Sequence, residues 1–157
     1  MQVLAPARDS TTAADACARA MLDGMPPVMW FIRHHMRKHR TCGLSVPQFR
    51  ALCLIDRYPS PGVSLVAEHL GCTQPSASRL VTGLVARGLL TRRESRDDRR
   101  QVELALTARG RSILGKARNA TQQRLADEIG HLPEDQRQTV VAAMKILRDV
   151  FDFTPKV

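Results

Sequence analysis

The side chains best placed to do chemistry lie in ESRDDRRQVELALTARG, residues 94–110, where Arg96, Arg99 and Arg100 alternate with Asp97 and Asp98. Strict alternation then follows at Val102, Leu104 and Leu106. A period of two marks a strand with one buried face. LLTRRE and RQVELALT are therefore expected to be the two strands of a hairpin joined by SRDD. Guanidinium groups on such a tip suit phosphate oxygens and the negative potential of a narrow minor groove. Asp98, two residues before Arg100, would restrain that arginine at the strand's entrance. Arg96 and Arg99 are left to reach outward.

Immediately upstream, VSLVAEHLGCTQPSASRLVT has the form of two helices meeting at a glycine turn. Ser64 and Thr73 are expected as hydroxyl N-caps, with Gly71 and Gly88 closing the helices. Ala67 is small where the helices would cross, and Val66, Leu70, Cys72, Ala77 and Leu80 are expected to point inward. Gln74, Ser76, Ser78, Arg79 and Thr82 are then free to face out, with Thr73 at the helix start. Arg pairs best with guanine and Gln with adenine, while Ser and Thr take either a base or a phosphate. A helix-turn-helix followed by a basic hairpin is a winged helix, and it predicts double-stranded DNA as a partner. The expected DNA contacts are thus Thr73, Gln74, Ser76, Ser78, Arg79, Thr82, Arg96, Arg99 and Arg100.

Other elements must hold this head. TTAADACARAML reads as a short helix, GMPPVMW as an interruption, and residues 26–40 as a second helix carrying Met29, Ile32 and Met36. Ser45 and Pro47 open a buried helix with Phe49, Leu52 and Cys53 on its apolar stripe. Beyond Thr107 one helix is expected to about His131. Another follows Pro133 and carries Val140, Val141, Met144, Ile146, Leu147, Val150, Phe151 and Phe153. That apolar set is broader than packing on one lobe needs. The expected fold is mainly α with a small β-hairpin wing. Residues 1–44 and 111–157 would supply dimerisation helices, and 45–110 the winged helix-turn-helix lobe.

Composition agrees with this organisation. The chain carries 24 Lys and Arg against 15 Asp and Glu, a formal charge of +9. Eleven of those cations but only four of the acids fall between residues 73 and 118, so the excess is local, as an electrostatic footprint on a polyanion should be. No apolar run is long enough to span a bilayer and no signal-like start is evident, so a cytoplasmic protein without membrane contact is expected. Cys17, Cys42, Cys53 and Cys72 form no CxxC pair, which argues against a disulfide framework or zinc site. His35 and His39 share a helix face beside His34, yet no further ligand matches their spacing, and no metal or cofactor is expected. No GxSxG elbow or phosphate-binding glycine loop occurs, so no catalytic residue is expected.

DDRRQVELALT, together with LSVPQFRAL, SLVAEHLGCTQPSASRLVTGLVARGLL and LTARG, resembles the MarR-type winged-helix repressors over about residues 28–153. Asp98, Arg100, Leu106 and Thr107 match that family's wing signature, although Ser95 stands where many members have a second Asp. The resemblance implies a homodimer interlocked through its first and last helices, with two lobes straddling a pseudo-palindrome. It also implies an anionic aromatic ligand that loosens DNA. Trp30, His34, Phe49 and Arg50 are the expected lining for a small aromatic or carboxylate effector. Two alternatives use the same sequence features: a non-sequence-specific architectural DNA-binding protein, and a redox-sensing regulator acting through a cysteine, Cys17 or Cys72.

Overall fold

The computed structural model describes residues 8–38, 41–94 and 102–151. In chain order these form α1 (Arg8–Lys38), a 3-10 turn (Thr41–Gly43), α2 (Val46–Arg57), α3 (Val63–Leu70) and α4 (Gln74–Ala86). The hairpin β1 (Leu90–Glu94) and β2 (Val102–Leu106) follows, then α5 (Ala108–Ile129) and α6 (Glu134–Val150). The fold is mainly helical with one two-stranded antiparallel sheet, as expected.

The lobe closes around Leu52, Val66, Val81, Leu84, Leu89, Leu104 and Leu114, all essentially without solvent contact. Phe49, Cys53, Leu70 and Leu80 pack against this cluster half-buried. On β2, Leu104 and Leu106 are buried and Val102 half-buried, which fixes the hairpin's inner face. Leu90 pairs with Leu106 and Glu94 with Val102, so the register leaves both strands in step. The backbone amide of Leu104 also donates to the carbonyl of Pro61 at 3.0 Å, tying the hairpin to the segment before α3.

Two local expectations are corrected. The N-terminal segment is one helix of 31 residues that runs through Pro26 and Pro27, in place of two helices separated at GMPPVMW. Proline's fixed φ is already helical, so each costs the amide bond it cannot make and steric crowding against the preceding turn. Leu22 and Asp23, whose carbonyls lose those bonds, are exposed and open to water. The second correction concerns α3, which begins two residues earlier than expected. Gly62 is its N-cap, without a side-chain bond, and Ser64 lies inside the helix.

Candidate nucleic-acid interface

The junction between α3 and α4 is set by backbone geometry. Gly71 adopts a left-handed conformation (φ 65°, ψ 39°), and its amide bonds to the carbonyls of Ala67 and Glu68. The amide of Cys72 donates to the carbonyl of Ala67 at 3.0 Å. A side chain is disfavoured at such φ, which is why glycine takes the turn. Cys72 itself is exposed, contrary to the inward position expected of it. At this sharp turn the chain carries the residue past the core before α4 begins.

Within α4 the buried positions Ala77, Val81 and Leu84 follow helical spacing and anchor one face. Arg79 and Thr82 are exposed on the opposite side, with Ser76 and Ser78 half-buried at its flanks, and Gln74 is exposed at the helix's N-terminal end. Thr73 occupies the N-cap position but makes no cap bond, its hydroxyl donating instead to Ser76 Oγ at 3.0 Å. Gln74 Nε2 donates to Ser64 Oγ at 2.9 Å, so a residue of α3 orients the first side chain of α4. Ser64 was legible only as a cap; its orienting role needs the register between the two helices.

The far end of α4 aims the hairpin. Leu89 donates its amide to the carbonyl of Leu84 at 3.0 Å and Gly88 to that of Val85 at 2.8 Å, with Gly88 at φ 67°. Leu84 and Leu89 are both buried, completing the apolar contact that accompanies this helix termination. At the hairpin's exit Thr107 Oγ donates to the carbonyl of Gly88 at 2.7 Å and accepts the amide of Gly110 at 2.9 Å. Arg92 and Arg93 are exposed on β1. Arg96, Asp98, Arg99 and Arg100 lie outside the described residues.

The four residues expected around an effector are not gathered at one place. Trp30 stacks on His34 with ring centroids 4.9 Å apart and is largely exposed. Phe49 instead packs against the lobe core. Arg50 Nη2 donates to the carbonyl of His69 at the end of α3, at 2.7 Å, and lines a cleft with Arg33, Arg37 and Arg87. Arg33 and Arg37 lie four apart on α1, but nothing in the sequence ties them to Arg50 or Arg87.

Electrostatics distinguish two further groups. Burial, with the nearby Arg50 cation, holds His69 below the ordinary imidazole range. Burial pushes the Cys53 thiol up, against the pull of Arg118, so its thiolate is disfavoured. Cys17, Cys42 and Cys72 are exposed free thiols. Among the described residues no cluster of His, Cys, Asp and Glu could hold a metal ion, and no helix is long and apolar enough to cross a membrane.

Residues 44–102 match the model of the MarR family. The chain is 27% identical over 104 residues to the HTH-type transcriptional regulator YfiV of Bacillus subtilis, covering 66% of this chain and 65% of that one. It is 25% identical over 143 residues to the HTH-type transcriptional regulator MT0903.1 of Mycobacterium tuberculosis, covering 90% and 99%. Among solved structures, RV1404 of Mycobacterium tuberculosis shares the fold at TM-score 0.72 and 21% identity, over 92% of this chain and 97% of that one. The transcriptional repressor CouR, solved bound to a 23-mer DNA duplex, aligns at TM-score 0.60 and 27% identity, over 93% and 99%.

Proposed function

We propose that this chain, a DNA-binding transcriptional regulator of MarR type and not an enzyme, acts as a homodimeric repressor of the genes whose operator it reads. The observation that carries the reading is the sidedness of α4. Ala77, Val81 and Leu84 are fully buried on one side, while Arg79 and Thr82 stand exposed on the other and Gln74 is exposed at the N-terminal end, on a helix that leads into a basic hairpin. In this reading α4 enters the major groove, with Thr73, Gln74, Ser76, Ser78, Arg79 and Thr82 contacting base edges and phosphates. The hairpin tip, through Arg96, Arg99 and Arg100, lies along the adjacent minor groove, with Asp98 bracing it. That the similar repressor CouR was solved bound to a DNA duplex supports DNA as the partner.

Dimerisation is supported by the surface of the terminal helices. α6 has no buried residue, and Val141, Ile146, Val150 and Phe151 are each more than 60% exposed. Leu22 and Trp30 are similarly open on α1. A helix of this kind is stabilised in water by covering its apolar side, and an apolar surface shared by the first and last helices fits a second copy. Two lobes then read two half-sites of a pseudo-palindrome. A small aromatic or carboxylate effector modulates that grip, in a protein working in the cytoplasm.

The architectural alternative makes the opposite prediction about salt. Fluorescence anisotropy with a duplex from the DNA flanking the chain's own gene, and with a random duplex, separates the two across a salt series. Operator preference should persist as salt rises, and Arg79→Ala should weaken the operator complex selectively. Equal loss on both duplexes would leave only phosphate binding. Arg96→Ala should weaken binding without changing the dimer.

A further inference from the structure

α5 belongs to the lobe over its first half and leaves it over its second. Gly110, Leu114 and Ala117 are buried against the lobe, whereas no residue from 118 to 129 is buried. The near end is tied to the hairpin through the Thr107 hydroxyl, which bonds both Gly88 and Gly110. At about 1.5 Å per residue, residues 118–129 extend about 18 Å toward α6. At the point of departure, Arg118 Nη1 donates to Asp56 Oδ2 on α2 at 2.7 Å. Cys53, three residues before Asp56, faces the same guanidinium. The ion pairs Arg124–Asp127, Arg137–Glu134 and Arg148–Asp149 each lie within a single helix and hold no element against another. One residue before Arg118, the carbonyl of Ala117 accepts the Thr121 hydroxyl at 2.9 Å. Such a bond to the carbonyl one turn back bends helices. A bendable place in α5 thus coincides with a tie to α2.

We propose that Arg118 and Asp56 are positioning residues that fix the angle at which α5 leaves the lobe, and thereby select the half-site spacing that the dimer accepts. This rests on the dimeric reading above. A partly exposed ion pair adds little to folding stability. What it supplies is direction, since it ties one turn of α5 to one turn of α2. Over an arm of about 18 Å, a tilt of about 10° moves the far end by about 3 Å, close to the rise of about 3.4 Å between base pairs. A lobe free to swing that far meets a neighbouring spacing nearly as well as its own, and a lobe held by the pair does not. Base reading by α4 is a separate property, so the two can be lost independently.

The test measures anisotropy on the operator duplex and on versions with one base pair inserted or removed at its centre. Wild type should lose at least about tenfold on the altered duplexes, because both lobes can no longer engage together. Asp56→Asn and Arg118→Gln should each shrink that penalty by about two- to fivefold, the scale of one partly exposed ion pair. Discrimination against single-base operator changes should stay as in wild type. Arg118→Lys, which keeps a cation facing Asp56, should recover most of the spacing preference. Arg124→Gln, which breaks a pair inside α5, should leave the penalty alone. A second measurement needs no DNA. With Cys17→Ser and Cys42→Ser, Cys72 beside α4 is the remaining exposed thiol, and a spin label on it reports the separation of the two reading helices by pulsed electron paramagnetic resonance. That distance distribution should broaden in Arg118→Gln. Equal spacing penalties in wild type and both variants overturn the proposal, as do unbroadened distances or a uniform loss on every duplex. Wild type indifferent to spacing, or showing no dipolar signal between labels, overturns the dimeric reading and this one with it.

Discussion

Gln74 and Ser64 are joined across the helix-turn-helix by a 2.9 Å hydrogen bond from the glutamine amide to the serine hydroxyl. Bond and residues are exposed, so its contribution to stability is small, yet it chooses which way the first outward side chain of α4 faces. Ser64→Ala is therefore expected to leave the melting temperature nearly unchanged and to relax base discrimination. Losing one neutral hydrogen bond sets the scale at about 0.5–1.5 kcal/mol of operator preference. Anisotropy against a set of single-base operator variants reads this directly. A uniform loss across all variants would show that Ser64 acts elsewhere.

Gly110 has no room for a methyl group. A Cβ there would stand 2.1 Å from the carbonyl oxygen of Leu89 and 3.2 Å from the Leu106 side chain. That oxygen also accepts the amide of Thr107 at 3.1 Å, so it cannot simply move away. Gly110→Ala should destabilise the lobe by about 1–3 kcal/mol, the usual cost of overpacking a close contact. Chemical denaturation measures it. Thr107→Ala, which removes the N-cap of α5, should cost about 0.5–2 kcal/mol by a different route. An alanine at 110 that leaves the denaturation midpoint in place would mean α5 can slide off the hairpin freely.

The parts of the head that were legible in sequence are those set by local rules. Gly71 and Gly88 marked helix ends, Ser45 an N-cap, and Leu104 with Leu106 a half-buried strand. What was not legible depends on placement in three dimensions. Pro26 and Pro27 read as a break because their cost is local, whereas the continuity of α1 depends on where its unbonded carbonyls face. Cys72 reads as apolar but is carried outward by the turn at Gly71. The arginine cleft draws residues from α1, α2 and the end of α4, and spacing along the chain does not reveal such a convergence.

The open side of α6 leads to a prediction about assembly. Val141 is 64% exposed and Ile146 62% exposed on a helix with no buried residue. Val141→Asp puts a charge on a surface proposed to be covered by the second copy, where desolvation opposes it. Sedimentation should show a shift toward monomer, and operator affinity should fall by at least about tenfold because one lobe must then bind alone. The helix content read by far-UV circular dichroism should not change. A variant that stays dimeric would move the interface off this part of α6.

His69 supplies a pH dependence whose sign is fixed by its surroundings. Burial first, and the Arg50 cation second, lower its pKa below the ordinary histidine value of about 6.5. As pH falls through about 6.5, the unfolded chain takes up a proton that the folded chain resists, so folding stability declines there and the decline is complete once pH passes below the folded pKa. His69→Gln removes this component and should flatten the change in melting temperature between about pH 7.5 and 5.5. Arg50→Gln should move the NMR titration midpoint of His69 upward by removing the second cause. It also removes the 2.7 Å tie between α2 and the His69 carbonyl, so its melting temperature should fall at every pH. A wild-type midpoint at or above the ordinary value would mean that Arg50 does not press on the imidazole.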